Sequence, residues 1–383
     1  MAAFSTLTIE EATERLIDYR GKTPPKTNSG VRLITAKVVK GGQILDEPAE
    51  YIAADYYDQW MRRGLPQKLD VLLTVEAPLG EVAILRDDAR IALAQRIILL
   101  RAKPGLLDPL YLFYALQSDF GQGELKARAS GTTVLGIKQS ELRKVRVPVF
   151  PLPIQQRIAG ILSAYDELIE NSQRRIRILE TMARALYREW FVHFRFPGFE
   201  HHPRIASPLG EIPQGWEVKK LGDVIDLNYG KALKKEDRRD GEYPVFGSSG
   251  IVGAHDTALV KGPGIIVGRK GNVGSVFWCD VDFFVIDTAY FVTSSLPLRF
   301  LFYVLPTLNF INSDAAVPGL SRNQAYTLEL LVPPVTLLEK FCELAGTFER
   351  QAAILQHQIQ NLRRTRDLLL PRLLSGQVDV EAA

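Results

Sequence analysis

The sequence predicts an α+β fold in which two similar mixed α/β globular units are each followed by a long helix. Three observations predict this internal repeat. Short apolar strings recur in the same order along the 383 residues, each copy contains strand-like runs bounded by turn residues, and two stretches carry apolar residues at helical spacing. A chain of this length has room for two domains with substantial cores.

The repeat is clearest around two copies of Leu-Phe-Tyr, in "YLFYALQSDF" from Tyr111 and "FLFYVLPTLNF" from Phe300. Upstream, "KLDVLLTVEAPLGEVAIL" from Lys68 matches "KGPGIIVGRKGNVGSVFW" from Lys261, and each predicts two strands joined by a polar hairpin tip. Because the order is kept while the offset shrinks, the copies differ mainly in loop length. Two further pairs are "DYRGK" (18–22) with "LNYGK" (227–231), and "TTVLGI" (132–137) with "AAVPGL" (315–320).

Each copy ends in a proline-rich exit, "VPVFPLPIQQRI" or "LLVPPVTLLEKF", which is typical of a strand passing into a helix. The apolar positions that follow are spaced as in a coiled-coil seam, and adding 183 to each position of the first helix gives an apolar position of the second. The predicted seam residues are Ile158, Ile161, Tyr165, Ile169, Ile176, Leu179, Leu186 and Trp190, with Phe341, Leu344, Phe348, Ala352, Ile359, Leu362, Leu369 and Leu373.

Two long helices with narrow apolar stripes most simply pack on each other. The alternative is that each helix packs on the globular unit before it, although a broader apolar face is usual there. The predicted segments are a globular unit (1–150), a first helix (151–195), a linker with the second globular unit (196–335), and a second helix with a tail (336–383).

Metal and disulfide chemistry find little support. Cys279 and Cys342 are the only cysteines and lie far from any metal-like pair, so we interpret them as buried small side chains in a reducing cytoplasm. His201 and His202 fall in the Pro- and Gly-rich linker without a third ligand at a suitable spacing, which favours solvated histidines. We therefore predict no metal site.

No catalytic motif is found. "RGKT" at 20–23 lacks the first glycine of a phosphate-binding loop, and "GRKGNVG" at 268–274 has the wrong glycine spacing for a dinucleotide site. His-Glu-x-x-His, Cys-x-x-Cys, Gly-x-Ser-x-Gly and an Asn-Pro-Pro-Tyr-type motif are all missing from the sequence. The sequence therefore predicts a binding protein without catalytic residues.

Charge and hydropathy further limit the class of protein that the sequence can encode. No apolar run approaches the ~20 residues that cross a bilayer, and the start lacks the pattern of a secretion signal, so a cytoplasmic protein is expected. The net charge of +3 is weak for a protein that binds nucleic acid alone. Any DNA contact must therefore use local charge or a partner's charge.

The chain resembles the specificity subunit of type I restriction-modification enzymes along essentially its whole length. The motifs that carry the resemblance are "PLPIQQRIAGIL", "LYREWFVHFRFPG", "GEIPQGWEVKKLGDV" and "LRRTRDLLLPRLLSGQVDV". The second helix departs from the family pattern, because it begins "PPVTLLEKF" instead of Pro-x-x-x-Gln-x-x-Ile. The resemblance implies two target recognition domains and two long helices paired antiparallel as coiled-coil spacers, in a pseudo-two-fold arrangement.

The resemblance also implies the partners. Such a subunit carries no active site and docks two modification subunits, which bind S-adenosylmethionine and methylate adenine. It also docks, in some systems, two restriction subunits that use ATP and Mg²⁺. Each recognition domain reads one half of a bipartite, asymmetric site in double-stranded DNA, while the helices set the spacing. The duplicated plan agrees with a linear two-part target.

Base reading needs polar side chains on loops between strands. Candidates in the first copy come from "DYRGKTPPK", the hairpin tip and the turn before the last strand, and those in the second copy come from the matching segments. They are Arg20, Lys22, Thr23, Lys26, Glu76, Ser130, Thr132 and Lys138, with Tyr229, Lys231, Lys234, Lys235, Ser248, Ser249, Arg269, Lys270, Asn272, Ser321 and Arg322. Arg174, Arg175 and Arg177 are candidates for partner contact on the outer helix face.

Two other interpretations stay open. One is an enzyme with a duplicated fold, which would turn over a substrate without partners. The other is a scaffold or DNA-mimicking inhibitor that binds modification subunits without reading DNA. A mimic should be strongly acidic, and a charge of +3 argues against it.

Overall fold

The computed structural model describes residues 5–19, 21, 23–310, 319–378 and 380, and it divides the chain into two compact units. Unit 1 comprises Met1–Ser172 with His357–Ala383, and unit 2 comprises Gln173–Gln356. Each unit therefore holds one globular part together with portions of both long helices. Among the described residues, no helix is long and apolar enough to cross a membrane.

The strands of unit 1 follow the predicted apolar runs, and most are short. They are β1 (Ser5–Thr8), β2 (Thr13–Asp18), β3 (Val31–Ile34), β4 (Val39–Lys40), β5 (Gln43–Ile44), β6 (Tyr51–Ile52), β7 (Val71–Val75), β8 (Leu79–Ile84), β9 (Ile91–Leu93), β10 (Ile97–Ala102) and β11 (Arg146–Val149).

The strands of unit 2 begin with a hairpin in the predicted linker. They are β12 (Arg204–Ser207), β13 (Gly210–Pro213), β14 (Glu217–Lys220), β15 (Ile225–Tyr229), β16 (Tyr243–Gly247), β17 (Gly250–His255), β18 (Gly264–Gly268), β19 (Val276–Cys279), β20 (Phe284–Val285), β21 (Ala289–Ser294) and β22 (Glu329–Val332).

In the described residues, the α-helices are seven short segments and two long ones. They are α1 (Ile9–Ala12), α2 (Tyr57–Trp60), α3 (Pro109–Gln117), α4 (Asp119–Ala127), α5 (Gln139–Leu142), α6 (Leu152–Tyr187), α7 (Leu298–Val304), α8 (Arg322–Tyr326) and α9 (Val335–Leu374).

The two units share one sheet topology. Unit 1 has a four-stranded sheet ordered β2-β10-β7-β8, a three-stranded sheet β6-β3-β9 and a pair β1-β11. Unit 2 has β15-β21-β18-β19, β17-β16-β20 and β14-β22 in the same roles. In both three-stranded sheets one pairing is parallel, β3 with β9 and β16 with β20. The internal repeat predicted from the sequence is therefore a repeat of the fold.

Alternation along the central strands explains how each sheet is covered on both faces. In β7, Leu73 belongs to the core that contains α3, whereas Leu72 packs with the three-stranded sheet. In β18, Val267 and Ile266 divide in the same way between the core that contains α7 and the core beside β20. Successive side chains of a strand point to opposite faces, so these buried strands read as continuous apolar runs.

The repeated Leu-Phe-Tyr strings form α3 and α7. The carboxylate of Asp108 caps α3 by accepting a hydrogen bond from the amide of Tyr111 (2.9 Å). Pro109 is favoured in the first helical turn, so the cap and the proline together explain why α3 begins at Pro109. Tyr111 and Phe300 are completely buried. The repeated string is therefore a core element of each unit.

Gln155 of the "PLPIQQRI" motif fixes the start of α6. Its side-chain oxygen accepts from the amide of Asp108 (2.9 Å), and its amide nitrogen donates to the carbonyls of Leu106 (3.0 Å) and Phe150 (2.7 Å). In the second copy the same place, 183 positions later, holds Leu338, which is completely buried. An apolar side chain thus replaces the buried amide, which accounts for the departure from the family pattern.

Within each unit, the beginning of one long helix packs beside the end of the other, so the helices run antiparallel. Ile158 of α6 shares a core with Leu373 of α9 in unit 1, and Tyr187 shares a core with Phe341 in unit 2. With 36 and 40 residues, α6 and α9 are about 54 and 60 Å long at 1.5 Å per residue.

The observed seam differs from the predicted one at a few positions in both long helices. Leu344 is 44% exposed, whereas Ala345 is completely buried and Leu355, which was not predicted, is 3% exposed. In α6, Leu162 is completely buried and Ile161 only half-buried. Alternating steps of three and four residues place Leu162 and Ala345 at the seam, one position beyond the predicted residues. The other predicted seam residues are buried or half-buried.

Candidate nucleic-acid interface

In unit 1, a concave surface forms where several loops meet, and it encloses a pocket with a volume of about 390 Å³. The end of β2, the β7–β8 tip, the β9–β10 loop and the segment before α5 all contribute to it. Its lining is Gly21, Val75, Glu76, Gln95, Arg96, Ser130, Val134, Gly136, Ile137 and Lys138. Three of the predicted residues, Glu76, Ser130 and Lys138, are thus brought together.

Backbone hydrogen bonds hold this surface in shape. The amides of Ser130 and Gly136 each donate to the other's carbonyl oxygen (2.8 and 2.9 Å), which closes the loop between them. Gly131 has a positive φ of 117°, and a Cβ there would lie 2.2 Å from the carbonyl oxygen of Val134. Only glycine fits such a turn, so the "SGTTVLG" loop depends on it.

The other predicted residues of unit 1 lie apart from this lining or outside the described part of the chain. Lys26 forms an ion pair with Glu50 (2.7 Å) beside β6. Burial acts to raise the pKa of Glu50, but hydrogen bonds from Lys26 and Lys37 lower it overall. Thr23 and Thr132 are exposed. Arg20 and Lys22 lie outside the described residues.

In unit 2, the corresponding surface is built around aromatic rings. The guanidinium of Arg269 lies 4.8 Å from the ring centre of Tyr229 and 5.7 Å from that of Tyr290, and Arg322 lies 5.1 Å from the Tyr229 ring. Arg269 also donates to the carbonyl of Asp287 (3.1 Å). Such cation–π contacts hold both guanidinium groups in fixed positions while Tyr229 keeps an exposed edge. Burial raises the pKa of Tyr290.

Two hairpin tips of unit 2 meet beside these rings. The side-chain amide of Asn272 lies 3.5 Å from the hydroxyl of Ser249, and the hydroxyl of Ser275 donates to the carbonyl of Ser248 (2.6 Å). Ser249, Lys270 and Asn272 are exposed. Ser248 is buried, and its predicted contact with DNA stays a prediction.

The remaining candidates of unit 2 take supporting positions. Ser321 caps α8 by accepting from the amide of Gln324 (3.5 Å), which positions Arg322 in the first turn. The amide of Lys231 donates to the carbonyl of Val285 (2.9 Å). Lys231, Lys234 and Lys235 are exposed in the segment after β15. They form a basic stretch next to the aromatic cluster along the chain.

The sequence reasoning missed the loops before β10 and β21. Gln95 and Arg96 line the surface of unit 1, and Asp287 and Thr288 occupy the same place in unit 2. These polar residues directly precede a buried strand in both copies, "AQRIILL" and "DTAYFV". The repeat itself could have found them, since "AQRI" and "DTAY" lie between segments that had already been matched.

A tyrosine connects each globular part to a long helix, buried in unit 1 and half-buried in unit 2. The hydroxyl of Tyr114 donates to Asp166 (2.6 Å), which also accepts from Arg366 (2.5 Å). Burial, and then the charge of Asp166, raise the pKa of Tyr114. These contacts fix the orientation of α3 against α6 within unit 1.

Unit 2 repeats the arrangement with different residues. The hydroxyl of Tyr303 donates to Glu349 (2.8 Å), and Arg299 donates to the same carboxylate (2.6 Å). Burial, and then the charge of Glu349, raise the pKa of Tyr303. The two tyrosines are the last residues of the repeated Leu-Phe-Tyr strings. The repeat therefore preserves the contact between globular part and helix.

In the described part of the chain, no three His, Cys, Asp or Glu side chains are grouped so that they could hold a metal ion. Burial raises the pKa of both cysteine thiols, Cys279 and Cys342, which disfavours the nucleophilic thiolate.

Comparison with known proteins identifies the family. A family model described as the type I restriction modification DNA specificity domain matches residues 33–181 and 213–332. The chain is 27% identical over 343 residues to the MjaIX type I restriction enzyme specificity subunit of Methanocaldococcus jannaschii, covering 81% of this chain and 78% of that protein. The MjaVIII specificity subunit of the same organism is 28% identical over 212 residues, covering 52% and 49%.

A solved structure shows the same fold. The S subunit of a type I restriction-modification system from M. genitalium superposes with a TM-score of 0.60 at 19% identity, covering 97% of this chain and 96% of that one. The two segments matched by the family model span more than half of the sequence. The chain belongs to the type I restriction-modification specificity subunit family.

Proposed function

We propose that the chain is the non-catalytic subunit that selects the DNA sequence for a type I restriction-modification complex. Unit 1 reads one half of a split, asymmetric site and unit 2 reads the other half. The observation that carries this proposal is a duplicated fold whose loops present different side chains on corresponding surfaces. Identical readers would suit a palindrome, whereas two chemically different readers suit an asymmetric site.

The two surfaces have the groups that base reading requires. Glu76, Ser130 and Lys138 in unit 1 offer an acceptor, a hydroxyl and a cation. Arg269 and Arg322 in unit 2 offer donors held in place by Tyr229. Donors and acceptors with fixed positions distinguish base pairs by the pattern at their major-groove edges. The modest net charge of +3 implies that partners supply further phosphate contacts.

The antiparallel helices α6 and α9 set the length of the unread gap and dock two modification subunits. Each unit presents exposed apolar side chains on its own portions of these helices, Leu168 and Leu368 in unit 1 and Ile178, Met182 and Ile354 in unit 2, all more than 40% exposed. We assign one docking surface to each of these two sets. Arg174, Arg175 and Arg177 flank these residues along α6.

The chemistry belongs to the partners. S-adenosylmethionine is held by the modification subunits, and ATP with Mg²⁺ is used by restriction subunits where these are present. The chain itself binds none of these cofactors. The complex acts on double-stranded DNA in the cytoplasm.

The direct test is methylome sequencing of cells that express this chain with its modification subunit, compared with cells that lack the chain. We expect adenine methylation at one split, asymmetric sequence that disappears without the chain. Exchanging residues 1–150 for the corresponding segment of another specificity subunit should change only one half of that sequence. If both halves changed together, the assignment of one half to each unit would be refuted.

A second candidate is a scaffold or inhibitor that binds modification subunits without reading DNA. The exposed apolar helix faces would serve either role. A methylation assay distinguishes a scaffold from an inhibitor. A scaffold leaves the modification subunit without sequence preference, whereas an inhibitor lowers methylation at every sequence. A defined methylated motif excludes both.

A further inference from the structure

The tip of the β7–β8 hairpin is held in unit 1 by a particular set of backbone contacts. The amide of Val75 donates to the carbonyl of Arg96 (3.0 Å), and the amide of Ile137 donates to the carbonyl of Val75 (3.0 Å). The next residue, Glu76, forms a β-bridge with Gly136. Glu76 is therefore the first residue of the tip beyond the sheet.

The β18–β19 hairpin of unit 2 is held by the same set of contacts. The amide of Arg269 donates to the carbonyl of Thr288 (2.9 Å), and the amide of Leu320 donates to the carbonyl of Arg269 (2.8 Å). Lys270 then bridges Gly319. Lys270 therefore occupies in unit 2 the place that Glu76 occupies in unit 1.

The charges at this place are reversed between the two units. Glu76 lies 3.9 Å from Arg96, so an acid at the tip faces a base in the neighbouring loop. Lys270 lies 4.0 Å from Asp287, so a base at the tip faces an acid. The ion-pair partner has therefore changed sign together with the tip residue. The two partners come from the matching loops before β10 and β21, but from positions one residue apart in the repeat. The backbone frame is common and the recognition chemistry is inverted.

Both ion pairs are loose. Their N···O distances of 3.9 and 4.0 Å exceed those of a charge-assisted hydrogen bond, and all four side chains are between 45% and 50% exposed. Exposed pairs of this kind stabilise a fold by at most about 1 kcal/mol. Their head groups can therefore exchange the partner side chain for a base edge at little cost.

We propose that this tip position determines specificity in both units, and that Glu76 reads a cytosine while Lys270 reads a guanine. The proposal rests on the proposed function, namely that both surfaces face DNA. A carboxylate accepts from the exocyclic amine of cytosine, and an ammonium group donates to O6 and N7 of guanine. The two halves of the recognised sequence then each contain a C·G pair, in opposite orientations with respect to the unit that reads it.

The test uses the complete complex of this chain with its modification subunit. Lys270→Ala should lower the discrimination against other bases at one guanine of the unit 2 half-site by roughly 5- to 150-fold, because a good side-chain–base contact contributes about 1–3 kcal/mol. Glu76→Ala should relax one cytosine of the other half-site in the same way. Each variant should leave the opposite half-site unchanged.

Two exposed residues provide matched controls, Lys261→Ala for unit 2 and Glu47→Ala for unit 1. Both should retain the parental motif. The base analogue 7-deazaguanine lacks N7. Its substitution for the assigned guanine in a DNA duplex should weaken binding by the parent complex but not by the Lys270→Ala complex. This cycle separates base reading from a general electrostatic effect.

The possible results differ clearly. A bipartite motif that stays unchanged in both variants would overturn the inference and leave the proposed function standing. Uniformly weaker binding at every sequence, without altered base preference, would make Lys270 a phosphate contact and would also overturn it. If the parent complex methylates no split motif, the proposed function fails, and this inference fails with it.

Discussion

Replacing Tyr114 by phenylalanine removes a single oxygen and tests how the globular part of unit 1 is attached to its helix. The ring of Tyr114 is 2% exposed, and its hydroxyl donates to Asp166 over 2.6 Å. Asp166 keeps its second partner, Arg366, in this variant. A hydrogen bond to a charged group contributes about 1.5–3 kcal/mol, so we expect Tyr114→Phe to lower the free energy of unfolding of unit 1 by about 2 kcal/mol.

Asp166→Ala should cost more, because the Tyr114 hydroxyl loses its acceptor and the Arg366 guanidinium keeps only its contact with Asp367 (2.8 Å). Breaking a buried ion pair costs about 3–5 kcal/mol, and the side chain of Arg366 is a quarter exposed, so a value near 3 kcal/mol is expected. Once Asp166 is alanine, the Tyr114 hydroxyl has already lost its acceptor, so replacing Tyr114 by phenylalanine costs nothing further. The destabilisation of the double variant should therefore be smaller than the sum of the two single effects by roughly 2 kcal/mol.

The assay must report on unit 1 separately, since a chain with two compact units need not unfold in one step. Hydrogen exchange in increasing urea, followed by mass spectrometry of peptides from α3, gives the local free energy. Tyr56→Phe is the control, a half-buried tyrosine of the same unit whose ring stacks on Trp60, and should change stability by less than about 0.5 kcal/mol. Additive effects of Tyr114→Phe and Asp166→Ala would refute the reasoning.

Three further predictions follow from burial and hydrogen bonding. Leu355→Ala should destabilise by about 2–4 kcal/mol and Leu344→Ala by less than about 1 kcal/mol, as measured by urea denaturation; equal costs would contradict the observed seam. Gln155→Ala should cost roughly 2–4 kcal/mol in the same assay, because one buried and two part-buried backbone groups lose their partner, and an unchanged midpoint would argue against this role. Because the pKa of Tyr114 is raised in the folded chain, above pH ~10 the unfolded chain releases a proton that the folded chain retains. The free energy of unfolding therefore falls as the pH rises above ~10, and it should fall less steeply in Tyr114→Phe. Parallel pH profiles of the two proteins would exclude this.

The fold could be predicted from the sequence because its signals are periodic and occur twice. The strands around Leu73 and Val267 and the helices after each proline-rich exit follow from apolar spacing alone. The seam was misplaced by one residue because Ile161 and Leu162 are both apolar, and Leu344 is larger than its neighbour Ala345. Size and hydrophobicity favoured the wrong member of each pair, whereas the packing geometry selects the other.

The candidate surfaces were only partly predictable, because they are assembled by contacts between distant segments. The partners of Glu76 and Lys270 come from the loops before β10 and β21, whose position depends on the parallel pairing of the preceding strands β9 and β20. Nothing in the local sequence states that pairing. The seam position of Arg366 was missed for a related reason, because a charged residue is admitted there only through its contact with Asp166.

The contrast between the two hydrogen-bonded tyrosines and the hairpin tips explains how one duplicated frame can carry two specificities. Tyr114 is buried and Tyr303 half-buried, and both keep the same residue type because each hydroxyl, shielded from water, meets a carboxylate on the helix behind it. Glu76 and Lys270 are held by backbone bonds of adjacent residues and by a bridge, none of which depends on their side chains. The tip can therefore exchange an acid for a base without moving the sheet, while the same exchange at Tyr114 would disrupt the core.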